Sequence, residues 1–453
     1  MKFLVYDITF LVLFSIFIGI FLYVKRKNLK REGLFFLYKT QIGVKALHYI
    51  GNNYKKTLDI LKNVIIVGGL ILMVSILYVF LKSVYIYITI PQITEIIKAP
   101  PIAPLIPYFP QLFGMESFFP PFYFTYFLIA LILVAVVHEF SHGIYMARFK
   151  VKIKSTGFVF LGPILGAFVE QDDKQLVKKK PSEQMVILGA GPFSNLVLAF
   201  IFFLIFMAFF YISLEPKGYM FNTYTLLSLP LSLVSNISTS GNWTELNVGN
   251  NIYFVENEFL KKQLALNLKN ITVYDDTPAF RANLKGIIVS INEMPVTGRE
   301  SLGKALANFK PGDEVEIKTM NEKNGINSYK IKLSTHPENQ SMAYLGIGFM
   351  PTAKGMLTSL NLKEESTYYK PRFDGDLILF VYDLLWWIII INFLVALFNM
   401  LPLGPLDGGR FFYLCILSIT KSENIAKRLF NIVSYAIFFI FGLMMFFWAI
   451  RVF

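Results

Sequence analysis

Two histidines and a glutamate lie within five residues of one another, at the end of a long apolar run. They form the motif His138-Glu139-Phe140-Ser141-His142. On a helix, a spacing of four residues places both imidazoles on one face, one turn apart, where their ring nitrogens can share one metal ion. Glu139 lies beside them and can take a proton from the water that such a metal activates. The motif therefore predicts a metal site with a general base.

The apolar setting strengthens this interpretation. Ionisable groups near membrane depth are costly unless they are paired or hydrated, so they tend to be functional. The alternative is a helix that ends at Val137 and leaves the motif facing cytosolic water. Zinc needs a third protein ligand and keeps one position for water. Asp407 is the candidate, because it follows an apolar span in a stretch broken by proline and glycine, which we do not expect to be regular helix. A simple Asp-Gly turn is the alternative for Asp407.

The composition is that of a membrane protein. Of 453 residues, 55% are hydrophobic and 16% charged, whereas a soluble domain carries about 25% charged residues. One large water-soluble domain and a disordered chain are both excluded. The net charge of +13 is typical of cytoplasmic loops that contact lipid head groups, so we do not expect nucleic-acid binding. The single cysteine, Cys415, excludes an internal disulfide and a multi-cysteine metal site.

Six segments are long and apolar enough to cross a bilayer, and the chain is expected to be a multi-pass protein of the cell membrane. They are residues 3–24, 64–87, 122–147, 185–212, 377–401 and 429–450. A shorter apolar stretch, residues 411–419, is expected to re-enter the membrane or to form a half-helix.

Lysine and arginine concentrate after the first span, after the third span and after Asp407. With six crossings, these three loops lie on one side, which the positive-inside rule assigns to the cytoplasm, with both termini outside. The metal motif is then expected toward the cytoplasmic side. Residues 33–49 mix aromatic residues with lysines and are expected to lie along the membrane interface.

The outer side then receives a proline-rich stretch, residues 91–121, and a longer polar segment, residues 215–376. Three possible glycosylation sequons begin at Asn236, Asn242 and Asn270, which fits an external location. Within the longer segment, residues 265–350 have the pattern of a small α/β domain. Its predicted elements are a strand at 286–292, a helix at 301–309 and strands at 314–318 and 328–333.

We therefore expect an α-helical polytopic membrane protein with about six transmembrane helices, a re-entrant or β-hairpin segment and an inserted extracytoplasmic α/β domain. The expected divisions are residues 1–120 (two spans and the proline-rich loop), 121–214 (the HExxH part of a core), 215–376 (the insert) and 377–453 (the rest of the core).

The motifs resemble those of the site-2 protease family of intramembrane zinc metalloproteases, which pairs an HExxH helix with a later LDG motif, here Leu406-Asp407-Gly408. Two further stretches, residues 157–170 and 189–195, are similar to that family. The order of the four agrees with it over roughly residues 122–215 and 377–420. The insert resembles a PDZ module through residues 277–286, with Ile287 at a place where such modules often carry aspartate.

The resemblance implies one zinc ion per chain, held by His138, His142 and Asp407, with Glu139 as general base and acid. The reaction would be hydrolysis of peptide bonds within transmembrane segments of membrane proteins, for regulated proteolysis or for clearance of signal-peptide remnants. An inactive scaffold of the same fold is one alternative. A transporter is another, although it would predict inverted repeats or charged residues in many spans.

Three residues are candidates for shaping the substrate cleft. Asn195 could donate a hydrogen bond to the substrate backbone or to a developing oxyanion, or it could serve helix packing together with Gly191. Asn399 and Pro402 could line the same cleft. The apolar stretch 157–169 could be a hairpin that pairs with an unwound substrate, or an ordinary cytosolic hairpin.

Overall fold

The computed structural model describes residues 2–89, 100–101, 105–116, 118–249, 251–266, 269–321, 324–350, 356–360 and 362–452. Much of the proline-rich stretch 91–121 therefore lies outside the described residues. The chain divides into two compact units, one made of Met1–Phe210 with Leu379–Phe453 and one of Tyr211–Ile378.

The described helices occur in both units, and short 3-10 turns lie at Arg26–Asn28 and Leu231–Leu233. In chain order the helices are α1 (Lys2–Lys25), α2 (Val44–Asn53), α3 (Lys55–Thr89), α4 (Phe109–Leu112), α5 (Phe124–Arg148), α6 (Asp173–Val177), α7 (Pro181–Ser213), α8 (Asn257–Ala265), α9 (Pro278–Arg281), α10 (Arg299–Leu306), α11 (Met356–Ser359), α12 (Gly375–Asn399), α13 (Asp407–Thr420) and α14 (Glu423–Val452).

The strands of the first unit are β1 (Leu29–Glu32), β2 (Phe35–Thr40), β3 (Ile153–Leu161) and β4 (Ile164–Gln171). Those of the second unit are β5 (Leu214–Tyr219), β6 (Thr223–Tyr224), β7 (Leu226–Pro230), β8 (Asn236–Ser240), β9 (Trp243–Val248), β10 (Asn251–Glu256), β11 (Asn270–Asp275), β12 (Ile287–Ile291), β13 (Met294–Pro295), β14 (Glu314–Met320), β15 (Ile326–Lys332), β16 (Ser334–His336), β17 (Asn339–Tyr344), β18 (Ile347–Gly348) and β19 (Thr367–Pro371).

In the described part of the chain, six helices are long and apolar enough to cross a membrane: α1, α3, α5, α7, α12 and α14. This confirms the six predicted spans. Several helices continue beyond the apolar segment, because backbone hydrogen bonding within a helix does not require apolar side chains. Helix α3, for example, begins at Lys55 rather than at residue 64.

The short apolar stretch 411–419 lies within α13, which has 14 residues. At 1.5 Å per residue this helix is about 21 Å long, too short to cross a hydrocarbon core of about 30 Å. Its residues Phe411 and Leu414 are buried in a core cluster shared with α3, α7, α12 and α14, and Cys415 packs at the edge of that cluster. The half-helix is thus a packed part of the first unit.

A four-stranded antiparallel sheet, in the order β1-β2-β3-β4, adjoins the helices. Strands β3 and β4 form the hairpin predicted at 157–169, with Gly157 opposite Phe168. Residues 33–49, which are expected along the membrane interface, form β2 and the start of α2. Pairing with β3 supplies the hydrogen bonds of β2, and Leu47 of α2 is fully buried.

The second unit contains two main sheets with separate cores. One has the order β15-β14-β12-β5-β19, with β13 beside β12, and the other has the order β7-β11-β10-β9-β8. Strand β11 therefore belongs to a different sheet from β12, although both lie in the predicted domain 265–350. Alternation of polar and apolar residues indicates that a segment is a strand, but it does not identify the neighbouring strand.

Candidate metal centre

The HExxH motif lies in the last three turns of α5. His138 and His142 are both buried, and their ring centroids are 4.7 Å apart. The side of α5 that carries them faces α7 and the start of α13. The predicted i, i+4 geometry is therefore present on a helix that is itself a candidate membrane span.

Asp407 reaches both imidazoles. Its Oδ2 lies 3.2 Å from His138 Nε2 and 3.4 Å from His142 Nε2. One ligand atom from each of the three residues lies within 4.8 Å of the other two. With zinc–nitrogen and zinc–oxygen bonds of about 2.0–2.2 Å, neighbouring ligands of a tetrahedral zinc are roughly 3.3 Å apart. The three residues therefore fit a zinc ion and leave a fourth position for water.

Asp407 is the first residue of α13, a difference from the irregular backbone that the prolines and glycines around it predict. The irregular part ends at Leu406, whose backbone is extended. A carboxylate is favoured in the first turn of a helix, where the unpaired N–H groups carry partial positive charge. The helix start is thus a favourable position for the Asp407 carboxylate.

Two glycines after Asp407 allow this turn to close. A Cβ at Gly408 would lie 2.3 Å from the Met400 carbonyl carbon, and one at Gly409 would lie 2.2 Å from the Leu403 oxygen. At the next residue, Arg410 Nη2 donates a 2.8 Å hydrogen bond to Gln184 Oε1 of α7. These contacts fix α13 against the end of α12 and against α7.

Each imidazole has a second contact through Nδ1. His142 Nδ1 lies 2.6 Å from the Ile187 carbonyl oxygen, to which it can donate. His138 Nδ1 lies 3.0 Å from the side-chain amide of Asn195, which is 0% exposed. Such contacts orient metal-binding histidines, and an acceptor at Nδ1, as His142 has, selects the tautomer in which Nε2 is free to bind the metal. Both rings are therefore held with Nε2 toward Asp407.

The Asn195 amide fits this arrangement after a half-turn about its Cβ–Cγ bond. A metal on His138 Nε2 leaves the proton on Nδ1, which then needs an acceptor. The amide nitrogen faces Nδ1, and among the described atoms the amide oxygen has no hydrogen-bond partner. Turning the amide supplies the acceptor, so the buried oxygen would gain its partner.

Helix α7 approaches the imidazoles closely because residue 191 is glycine. A Cβ there would lie 2.3 Å from His142 Nε2 and 2.7 Å from His138 Nε2. Ile187, Gly191 and Asn195 are spaced four residues apart and share one face of α7. This face supplies an acceptor for one histidine, room for both rings and an amide for the other.

Glu139 is held by the hairpin. Its Oε2 accepts a 2.9 Å hydrogen bond from the backbone N–H of Val169 in β4. The next residue, Glu170, accepts hydrogen bonds from Lys39 of β2 and Ser155 of β3, and these bonds hold its pKa below the usual value. The strand that contacts Glu139 is thus anchored to its neighbours.

Asn399 and Pro402 lie at the turn between α12 and α13. Asn399 is the last residue of α12 and is half-buried. Pro402 is buried, and its carbonyl oxygen accepts a 2.8 Å hydrogen bond from Ser434 of α14. The contact that the structure gives Pro402 is thus with α14. The predicted site residues that the structure brings together are His138, His142, Asp407 and Asn195.

Sequence reasoning missed the Ile187 carbonyl and the Val169 amide, and no sequence signal marks a backbone group. It also missed Asp7 in α1. That carboxylate accepts hydrogen bonds from the backbone N–H groups of Phe124 and Thr125, which begin α5, at 2.7 and 2.9 Å. An aspartate within an apolar span was an available signal.

Comparison with known proteins agrees with this geometry. The model of peptidase family M50 matches residues 126–444, more than half of the chain. An uncharacterized protein of Methanocaldococcus jannaschii is 29% identical over 283 residues, which are 62% of this chain and 54% of that protein. The chain thus spans about half the length of this curated relative. With the family match covering both the HExxH helix and the Asp407 turn, the chain belongs to peptidase family M50, the site-2 protease family of metallopeptidases.

Proposed function

We propose that the chain is a zinc-dependent intramembrane endopeptidase, which hydrolyses peptide bonds within transmembrane segments of membrane proteins. The observation that carries this proposal is the convergence of His138 Nε2, His142 Nε2 and Asp407 Oδ2 directly beside Glu139. Family membership and six helices suited to a membrane support it. The partners would be single-span proteins and the lipid bilayer.

Each residue of the site would have a separate role. His138, His142 and Asp407 would hold the zinc, with Ile187 and Asn195 orienting the two imidazoles. When bound, zinc polarises a peptide carbonyl and lowers the pKa of its water to about 7. Glu139 would take a proton from the attacking water and pass it to the leaving nitrogen as the C–N bond breaks.

The hairpin offers a place for the substrate. A helical substrate keeps its carbonyls in internal hydrogen bonds, so the segment to be cut must first become extended. Strand β4 is the outer strand of its sheet, and an extended segment can add to such an edge through main-chain hydrogen bonds. The contact between β4 and Glu139 would bring that segment to the base.

We also propose the membrane arrangement that the charges predict, with the metal site toward the cytoplasm and Tyr211–Ile378 outside. A scan of single introduced cysteines tests it, against a background in which Cys415 is replaced. A cysteine near residue 300 should be labelled from outside, and one near residue 178 from inside. The opposite pattern would invert the arrangement.

The insert, through its PDZ-like sequence, would act as a filter on substrate size or terminus. Deleting residues 265–350 alone would cut into both sheets, since β11 pairs with β7 and β10 while β12 pairs with β5. The test is therefore to replace all of Tyr211–Ile378 by a flexible linker. Substrate choice should change while zinc stays bound, and loss of zinc would contradict a separate filter.

Cleavage of a model single-span substrate by the purified protein in detergent tests the main proposal, with Glu139→Gln as the matched variant and zinc counted per chain. We expect cleavage by the unmodified protein, no cleavage by the variant and about one zinc in each. Bound zinc with no cleavage of any tested span would favour an inactive scaffold. Absence of zinc from freshly prepared protein would contradict the metal site itself.

A further inference from the structure

The general base of the proposed reaction is bonded to the same strand that would receive the substrate. Glu139 Oε2 accepts from the Val169 N–H at 2.9 Å, and this contact joins residues 30 positions apart in the sequence. Glu139 is half-buried on α5, and Val169 lies near the end of β4. The bond therefore links the catalytic helix directly to the hairpin.

The Val169 N–H lies on the outer edge of the sheet, next to helix α5. Within the described residues, β4 pairs only with β3, where Val169 is opposite Thr156. The Val169 N–H points away from β3 and donates to the Glu139 carboxylate. An added strand would use outward-pointing N–H groups of this kind. Ala167 lies two residues earlier in unbroken register, so its N–H points to the same edge.

We propose that the Val169 amide is a positioning group for Glu139, and that a substrate strand competes with Glu139 for it. In this proposal, which rests on the proposed function, an extended substrate adds to β4 and its carbonyl takes the Val169 N–H. The Glu139 carboxylate is then released toward the reacting water. A segment that is still helical cannot make this exchange, because its carbonyls are already bonded within the helix.

The hydrogen bond between the Val169 N–H and Glu139 is strong enough to oppose substrate binding. A hydrogen bond from an N–H to a carboxylate is roughly twice as strong as one between neutral groups. The substrate must therefore displace a good acceptor, and several of its edge bonds must form together to do so. The anchoring of Glu170 by Lys39 and Ser155 keeps β4 in place during this exchange.

Binding measurements on inactive variants test the competition without requiring cleavage. The probe is a fluorescently labelled single-span model substrate in detergent. Glu139→Gln keeps an acceptor for the Val169 N–H, whereas Glu139→Ala removes it, and both variants lose the charge. We expect the alanine variant to bind the probe roughly three- to tenfold more tightly than the glutamine variant. Equal binding would overturn the proposal.

Proline substitutions in β4 test whether the difference between the two Glu139 variants depends on the Val169 N–H. Val169→Pro removes the contested N–H from an outer strand, where proline is tolerated. In that background the difference between the alanine and glutamine variants should vanish, and its persistence would overturn the proposal. Ala167→Pro is the matched control. It removes an edge N–H that Glu139 does not contact, so it should weaken both variants equally and preserve their difference.

A second measurement needs no proline and protects the test against misfolding. Hydrogen exchange of a peptide covering residues 164–171 should be faster in Glu139→Ala than in Glu139→Gln, because only the glutamine still protects the Val169 amide. Equal exchange would contradict the positioning role. Failure of the unmodified protein to cleave would count against the proposed function alone, since neither measurement depends on turnover.

Discussion

Helix α5 meets a carboxylate at its start and another at its metal motif, and the two carboxylates have different partners. At the start of the helix, Asp7 of α1 is 1% exposed and accepts four hydrogen bonds. Its donors are the Tyr108 hydroxyl, the backbone N–H groups of Phe124 and Thr125, and the Thr125 hydroxyl. About 21 Å further along the helix, at His138, Asp407 faces two imidazole nitrogens.

The difference separates a structural carboxylate from one suited to bind a metal. Asp7 caps the otherwise unpaired first turn of α5, and its oxygens have their donors in place. Burial and the hydrogen bond to Asp7 raise the pKa of Tyr108, which keeps that hydroxyl a donor. Asp407 is 21% exposed and converges with two nitrogens that are themselves potential metal ligands.

The largest effect is expected from Asp407→Ala. It removes one of three predicted metal ligands, so zinc should fall from about one per chain to nearly none, and cleavage should fall by roughly 10³-fold or more. Metal analysis and the single-span cleavage assay measure both. Asp7→Asn is the matched control at the other end of the helix and should retain its zinc. Full zinc in the Asp407 variant would remove the distinction between the two carboxylates.

Gly191→Ala should have the next largest effect. The added methyl would overlap His142 Nε2, so one imidazole must move, and zinc affinity should fall by about 100-fold. The overlap does not need the metal and costs about 1–3 kcal/mol, at least as much as the about 1 kcal/mol by which alanine favours a helix over glycine, so the zinc-free protein should also be slightly less stable. Gly442→Ala is the control, because a Cβ at Gly442 of α14 meets nothing within 4 Å. Equal zinc affinities in the two variants would contradict the close approach of α7.

Substitutions of Asn195 test whether this residue acts through His138 or on the substrate. Asn195→Leu removes the acceptor for His138 Nδ1–H and should weaken zinc binding by about tenfold. Asn195→Asp retains an acceptor but cannot donate when ionised, so zinc affinity should recover. Cleavage that recovers with it supports a role through His138. Cleavage that stays low while zinc is bound would instead support the oxyanion donor considered from the sequence.

The smallest effect on zinc, and a clear one on folding, is expected from Asp7→Ala. The substitution leaves two backbone N–H groups and the Tyr108 hydroxyl without their acceptor, so the free energy of unfolding should fall by about 2–4 kcal/mol. Thermal unfolding in detergent measures this, with zinc content unchanged. Ser15→Ala on the same helix, which loses only a local bond to Leu11, should change stability by no more than about 0.5 kcal/mol. A loss of zinc in the Asp7 variant would show that Asp7 affects metal binding, and would contradict its assignment as a purely structural carboxylate.

Local patterns in the sequence determined several features of this protein. The hydropathy of six segments identified the six helices, because length and apolar content are properties of a single segment. The i, i+4 spacing placed His138 and His142 on one face, because helix geometry fixes that relation. The need for a third zinc ligand made Asp407 a candidate and the resemblance supported it, but its convergence with the histidines joins residues 269 positions apart.

The tertiary structure decided which distant groups complete the site. His142 contacts the Ile187 carbonyl across 45 positions, Glu139 contacts the Val169 amide across 30, and Asp7 meets the start of α5 across 117. The carbonyl and the amide are backbone groups. Every residue has the carbonyl and every residue except proline has the N–H, so no residue type in the sequence marks them. The pairing of β2 with β3 and the separation of β11 from β12 were equally hidden, because strand patterns specify a face and not a neighbour. The sequence therefore determined the chemistry of the side chains, and only packing determined what holds them in place.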